Sequence, residues 1–308
     1  MQKLTFTCPS QDGIHTLQGY YYPAKEPRFL LQLVHGMAEW TERYEPFIEE
    51  LNQAHISVVA HDHLGHGNTA ILSNELFGYF TSEKAEEVLV EDVLKIGQIG
   101  ASLAEDLPFG IFAHSMGSFI TRIALIRQNF YQFAIIMGTS GPRKEVELIL
   151  PTAKKIAHLH PKYINPIMDT LSFGAYRLFI DDETFQSKNH WLSHNEKNVA
   201  EYDANPKLGF TFTNNGFFTL FKLLYFCNRK EVFASTKNIP IFLMSGIDDP
   251  VGNYGKGVLE VERRLTKAKK DYVVSKLYPD ARHEILNEEI APLVIKDIIH
   301  FIHEQGQK

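Results

Sequence analysis

Gly110-Ile111-Phe112-Ala113-His114-Ser115-Met116-Gly117-Ser118 is the stretch on which the fold turns: an apolar run ends in a serine, with glycine two residues on and a helical pattern, Phe119 to Ile126, directly after. A nucleophile elbow has this arrangement, a sharp strand-to-helix turn that exposes the serine hydroxyl above a helix N-terminus. The same letters also describe a serine that only caps a crossover helix. The choice between the two depends on the rest of the chain.

On either side of the elbow, residues 29–34, 56–60, 109–113, 133–137, 239–244 and 272–277 form short, almost entirely apolar runs. Parallel strands buried on both faces have this composition. Residues 4–8 and 16–22 read as an opening hairpin around Asp12-Gly13. Helical patterns over 43–53, 82–104, 115–128, 256–269 and 285–303 separate the runs. The alternation predicts an α/β fold: a doubly wound, mostly parallel, eight-stranded sheet.

From 141 to 237 the alternation stops. Helical patterns at 144–158, 166–179 and 215–228 follow one another without a convincing core strand, and the stretch is rich in aromatics, among them Phe173, Tyr176, Phe179, Phe185, Trp191, Phe210, Phe212, Phe217, Phe218 and Phe221. Such a segment reads as a helical cap inserted into a core made of residues 1–140 and 238–308, with an apolar lining over the sheet edge where α/β folds bind ligands. Phe173, Tyr176, Phe217 and Phe218 are the candidate substrate-binding residues of the cap.

Composition narrows the function. The chain has 308 residues, 44% hydrophobic and 22% charged, which is ample for a sizeable folded core. A formal net charge of -6 gives no electrostatic reason to expect nucleic acid. Cys8 and Cys227 are too few for a disulfide framework. The first residues lack the apolar core of a signal peptide, and no run approaches the ~20 apolar residues of a membrane span, so a cytoplasmic location is expected.

A serine hydroxyl is a weak nucleophile until a base removes its proton, and that base needs a carboxylate to fix its tautomer. The order Ser, acid, His is filled at successive strand ends. After residues 239–244 comes Ser245-Gly246-Ile247-Asp248-Asp249-Pro250, and after 272–277 comes Tyr278-Pro279-Asp280-Ala281-Arg282-His283-Glu284. His283 is the expected base. Either Asp248 or Asp249 could be the acid; Asp249 is favoured because Pro250 restricts it to extended backbone. An oxyanion hole needs two backbone N–H donors. Met116, directly after the serine, is one; Met37, in His35-Gly36-Met37-Ala38-Glu39 after strand 29–34, is the other, with Gly36 allowing close backbone approach.

These pieces resemble the serine hydrolases of the α/β-hydrolase superfamily grouped as monoglyceride lipases, lysophospholipases and serine aminopeptidase-like (S33-type) proteins. The matching motifs are His35-Gly36-Met37-Ala38-Glu39 with Glu42-Arg43-Tyr44, Asp62-His63-Leu64-Gly65-His66-Gly67, His114-Ser115-Met116-Gly117, Gly246-Ile247-Asp248-Asp249 and Arg282-His283-Glu284. In that family the acid falls three residues after the strand-end glycine, which supports Asp249. Ala113 replaces the usual glycine two before the nucleophile, Leu64 replaces the usual arginine, and Trp40 replaces a smaller residue at the entrance, where it is expected to line the acyl site. The resemblance implies hydrolysis of carboxylic esters with an apolar acyl chain, of the monoacylglycerol or lysophospholipid type, with no metal and no organic cofactor. The expected partners are a small-molecule or lipid ester and, transiently, a membrane surface met by the cap; the chain itself is expected to be a monomer or homodimer.

Other readings compete. His61-Asp62-His63-Leu64-Gly65-His66 resembles a zinc loop superficially, but Gly65 stands where such a loop carries aspartate, so a hydrogen-bonded loop bracing the active-site floor is the better account. Gly252-Asn253-Tyr254-Gly255-Lys256-Gly257 lacks the spacing of a phosphate loop. A peptidase or amidase would use the same three residues, and a non-catalytic binding protein would leave their joint presence unexplained.

Overall fold

The computed structural model of the chain describes residues 1–127, 130–178 and 187–306. Gln128, Phe179 and Phe185, which the sequence patterns included, lie outside them. In chain order the elements are β1 (Leu4–Pro9), β2 (Thr16–Tyr22), β3 (Phe29–Val34), α1 (Glu45–Gln53), β4 (Ile56–His61), α2 (Gly67–Leu72), α3 (Ala85–Leu103), β5 (Phe109–His114), α4 (Met116–Ala124) and β6 (Phe133–Met137). Then follow α5 (Lys144–Leu159), α6 (Pro166–Leu178), α7 (Glu196–Ala204), α8 (Asn214–Cys227), α9 (Lys230–Ser235), β7 (Ile241–Gly246), α10 (Lys256–Lys267), β8 (Val273–Tyr278) and α11 (Ala291–Gln305).

The strands make one eight-stranded sheet in the order β1-β2-β4-β3-β5-β6-β7-β8. β2 runs antiparallel to both β1 and β4, and every other neighbouring pair is parallel. This is the α/β-hydrolase architecture, with inserted helices between β6 and β7 forming a cap. The chain moves from β3 outward to β4 and then returns past β3 to β5, so the order reverses between β3 and β5. At such a switch point the connections diverge and leave a crevice at the carboxyl ends of the strands. Gly36-Met37 and Ser115 follow β3 and β5 there.

Continuous apolarity in the central strands is explained by burial on both faces. Leu30 and Val34 of β3 join Ile111 and Ala113 of β5 in one core, whereas Leu31, Leu33 and Phe112 join the other. Gln32 is the polar exception on β3; its amide nitrogen donates to Val93 O at 2.9 Å and its oxygen accepts from the Tyr131 hydroxyl. The flanking helices present matching stripes, Val258, Val261 and Leu265 on α10 and Val294, Ile298, Phe301 and Ile302 on α11. Their spacing of three to four residues puts each set on one helical face.

Helix starts deviate from the pattern for local reasons. The expected helix at 43–53 is a 3-10 turn, Thr41–Tyr44, followed by α1 with Pro46 in its first turn. The expected helix at 285–303 likewise divides into a 3-10 turn, Ile285–Asn287, and α11, which also opens on a proline, Pro292. Proline lacks the N–H that would continue a preceding turn but suits a first helical turn. Apolar periodicity does not mark α2, α7 and α9, which are short.

Candidate active site

Ser115 occupies the N-cap position of α4, yet its side chain makes no capping hydrogen bond. Its backbone, at φ 52° and ψ -121°, is in a region that L-residues rarely adopt, so the position carries strain of about 1–3 kcal/mol. The surroundings hold it there: Ser115 N donates to Met137 O at 3.0 Å, and Ser118 N donates to Ser115 O at 2.8 Å. Two glycines make the turn possible. A Cβ on Gly117 would collide with the carbonyl oxygens of Val34 and His35, and one on Gly36 would lie 2.9 Å from Ser115 Cβ. Ala113 is fully buried in β5, so its methyl is accommodated.

After β7 the two adjacent aspartates part. Asp249 is fully buried; its Oδ1 lies 3.0 Å from His283 Nδ1 and accepts from Val251 N at 2.8 Å, while its Oδ2 accepts from the Ser245 hydroxyl at 2.7 Å. Burial works against the carboxylate, but the His283 imidazole and these donors outweigh it and hold the pKa below the ordinary aspartate value. Asp248 instead pairs with His194 at 3.0 Å, both side chains nearly half exposed. Since Nδ1 faces Asp249, the tautomer of His283 leaves Nε2 as the proton acceptor. That atom is buried and has no hydrogen-bond partner among the described residues.

Met37 and Met116 flank the serine from two directions. Met116 opens α4, where first-turn amides have no intrahelical acceptor. Among the described residues the Met37 N–H donates to nothing. Met37, Ser115 and His283 line a common cavity of about 330 Å³.

The cap forms the remaining wall. Phe173 and Tyr176 of α6 line the cavity, as do Trp191, Tyr202 and Phe221. Trp191 links the cap to His283: its ring stacks on Phe173 with centroids 5.5 Å apart and lies 5.3 Å from the His283 ring. Of the sequence-predicted substrate residues Gly36, Trp40, Phe173, Tyr176, Phe217 and Phe218, the two on α6 line the cavity and the other four do not. Phe217 is fully buried against Phe212, Phe218 lies under the Lys222 ammonium, and Trp40 stands beside Lys207 with Nζ 3.9 Å from its ring.

Sequence reasoning assigned no role to a polar wall behind the site. His114 Nδ1 lies 2.9 Å from Glu39 Oε1, and that carboxylate also accepts from the Tyr44 hydroxyl and from Gly36 N. Burial disfavours the His114 imidazolium, but Glu39 overcomes it and raises the pKa. Glu284, next to His283, accepts from Arg43 Nη2 and from Asn198 Nδ2, each at 2.7 Å, and its backbone N–H donates to Leu192 O at 2.8 Å. Glu39, Arg43, Tyr44, His114 and Glu284 all fall within quoted motifs; only their convergence was out of reach.

The histidine-rich loop after β4 is buried and hydrogen bonded. His63 Nε2 reaches His35 O at 3.2 Å and His66 Nδ1 reaches Leu64 O at 2.9 Å. Among the described residues no group of three or more His, Cys, Asp or Glu is arranged to hold a metal ion. Nor is any described helix long and apolar enough to cross a membrane.

Comparison with known proteins places the chain in a family. Residues 25–290 match the family model described as serine aminopeptidase, S33. The monoglyceride lipase of Rattus norvegicus is 25% identical over 294 residues, 95% of this chain and 86% of the relative. The monoacylglycerol lipase of Mycolicibacterium smegmatis is 25% identical over 295 residues, with 94% and 93% covered. Among solved structures, a thermostable carboxyl esterase from Bacillus coagulans superposes with a TM-score of 0.90 at 29% identity, with 99% of each chain covered. The chain belongs to the S33 serine aminopeptidase family, in the monoglyceride-lipase-like serine hydrolase group of the α/β-hydrolase superfamily.

Proposed function

We propose that this protein is a serine carboxylic-ester hydrolase that acts through an acyl-enzyme on esters with an apolar acyl chain, of the monoacylglycerol or lysophospholipid type. In this reading Ser115 attacks the ester carbonyl as His283 Nε2 takes its proton. Asp249 orients the imidazole and stabilises the imidazolium that forms. The Met37 and Met116 amides receive the oxyanion. His283 then protonates the departing alcohol and activates water for deacylation.

The observation that carries the proposal is a serine in strained backbone, whose hydroxyl caps no helix, lining one cavity with a histidine whose distal nitrogen is unpartnered and whose proximal nitrogen is on a buried carboxylate. Phe173, Tyr176, Trp191, Phe221 and Leu224 give the wall an apolar character suited to an acyl chain. Of the four carboxylates that line the cavity, three have cationic partners, Asp169 with Arg177 at 2.7 Å, Glu284 with Arg43 at 2.7 Å and Glu145 with Arg143 at 3.5 Å, and the fourth, Glu39, is buried and engaged by His114, the Tyr44 hydroxyl and Gly36 N. Residues 141–237 act as the cap, and the exposed Leu148, Ile167 and Leu171 on α5 and α6 suit a transient contact with a lipid surface.

The test is turnover of a p-nitrophenyl ester chain-length series beside monoacylglycerol and lysophospholipid, by the wild type and by Ser115→Ala. Wild-type turnover of medium-chain esters, lost in the variant, is the expected result. Undiminished turnover by folded Ser115→Ala would sink the assignment.

A further inference from the structure

Three buried histidines grip the segment that carries Met37, and the main chain sets the protonation of each. His66 Nδ1 lies 2.9 Å from Leu64 O, an acceptor only, so Nδ1 bears the proton; Nε2, 3.1 Å from Ala38 N, must then accept. His35 Nδ1 donates to Gly36 O at 2.8 Å, and its Nε2 accepts from His63 N at 3.0 Å. His63 Nε2 donates to His35 O at 3.2 Å. The rings pack on one another, His35 with centroids 4.2 Å from His63 and 5.2 Å from His66. The loops after β3 and β4 are thereby stitched together by neutral imidazoles.

The stitched segment is strained. Ala38, directly after Met37, has φ 52°, a left-handed backbone that a non-glycine residue holds only when its neighbours over-determine it. His66 holds the Ala38 N–H, and the Ala38 carbonyl accepts from the Tyr202 hydroxyl at 3.1 Å and from Gly209 N at 3.0 Å. On the other side of Met37, Gly36 N donates to Glu39. Both neighbours of Met37 are therefore fixed, whereas the Met37 N–H itself is left without an acceptor among the described residues.

We infer that His66, braced by His35 and His63, is a positioning residue for acyl transfer: as a neutral acceptor it fixes the Ala38 amide and so aims the Met37 N–H at the oxyanion. The inference rests on the assignment of Ser115 as nucleophile and Met37 as donor. Protonating His66 would set N–H against N–H and release the segment. Burial lowers its pKa to about 4, against the Leu64 carbonyl and the Glu39 carboxylate, so the acceptor form persists at neutral pH. Glu39, His35 and His63 are the titratable groups near it, and the rings of Phe80, Phe210 and Phe212 enclose it.

Three variants test the role. His66→Gln can place a carbonyl oxygen near the position of Nε2, His66→Asn ends about one bond short, and His66→Leu has no acceptor. With p-nitrophenyl butyrate, and rates normalised to the folded fraction, His66→Leu should lose about 10- to 100-fold in kcat at nearly unchanged KM, somewhat less than outright loss of an oxyanion donor. His66→Gln should recover most of the loss and His66→Asn little of it. Labelling of Ser115 by a fluorophosphonate should slow in parallel, because the phosphoryl oxygen uses the same donors. Should His66→Leu fail to fold, the Gln and Asn variants decide the matter: equal kcat in the two, or a loss confined to KM, overturns the inference. Wild-type protein that neither labels nor turns over would defeat the assignment of the site instead. Wild type that labels normally, with variants that match it, defeats only the role of His66.

Discussion

His283 Nδ1 lies 3.0 Å from Asp249 Oδ1, and the other oxygen of that carboxylate is held by the Ser245 hydroxyl at 2.7 Å, so the imidazole has one orientation and one tautomer. Replacing Asp249 by Asn presents the ring with an amide that can flip the tautomer while leaving the packing almost unchanged. For Asp249→Asn we expect kcat to fall about 10³- to 10⁴-fold with little change in KM. Asp248→Asn should stay within a few-fold of wild type, because that carboxylate sits near the surface with His194. Steady-state kinetics of the two variants side by side separate the adjacent residues; a larger loss in Asp248→Asn would reverse the assignment.

Strain at Ser115 predicts an opposition between stability and activity. Glycine adopts the φ 52°, ψ -121° backbone with much less steric penalty than any residue bearing a Cβ. Ser115→Gly and Ser115→Ala should both be inactive on p-nitrophenyl esters. The glycine variant should nevertheless be the more stable of the two by on the order of 1 kcal/mol, the relieved strain exceeding the extra entropy of the unfolded glycine. Denaturant titration of both variants checks this, and an alanine variant at least as stable as the glycine one would contradict it.

How far the sequence discloses the site depends on whether a residue is placed by its strand or by packing between helices. Ser115, Asp249 and His283 stand just beyond β5, β7 and β8, and buried parallel strands are recognisable by apolarity alone. The cap offers no such marker. Along α8, Phe217 turns into the core, whereas Leu220, Phe221 and Leu224 face the cavity. Composition reveals an apolar helix but not which of its sides lines the cavity, and on composition Phe217 and Phe218 qualify as readily as Phe221. Trp40 and Trp191 illustrate the same limit: the one next to Gly36-Met37 in sequence faces Lys207, and the one far from it in sequence lies over His283. Histidine tautomers and the Glu39-His114-Tyr44 contacts depend on two loops meeting in space, which spacing along the chain cannot report.

Arg43 joins the loop that carries His283 and Glu284 to the cap. Its guanidinium donates to Glu284 at 2.7 Å and to Asn198 of α7 at 2.8 Å, and the Arg43 and Glu284 side chains are only 10% and 3% exposed. Coulombic attraction and hydrogen bonding from Arg43 keep the Glu284 pKa below the ordinary glutamate value even though burial pushes it the other way. Arg43→Met strands that carboxylate and should cost about 3–5 kcal/mol. Arg43→Met with Glu284→Gln removes the buried charge as well and should recover a large part of the loss. Urea unfolding of the single and double variants measures the difference; equal destabilisation in both would show that the stranded charge is not the cause.

Stability should fall on acidification from neutral pH, and the buried histidines set the sign. Burial holds His35, His61 and His63 well below the ordinary histidine value of 6.5, and His66 at about 4. Between those pKa values and 6.5 the unfolded chain binds protons that the folded chain does not, so unfolding is favoured as pH falls through 6.5. Each such histidine contributes on the order of 1.4 kcal/mol per pH unit across its window. His114 acts in a different window: its raised pKa adds stability that is fully present below 6.5 and lost only as pH rises above that through the folded value, whereas Asp92, pushed up to about 7 by burial, gains its proton in the folded chain over the same interval as the four and offsets about one of them. Asp249 and Glu284, held below their ordinary values, extend the loss as the pH drops through the acidic range. Denaturant midpoints between pH 7.5 and pH 4.5 should therefore decline steeply, and His66→Gln should reduce the slope by about one proton. A midpoint that stays level or rises over that interval would show that these histidines are protonated in the folded chain.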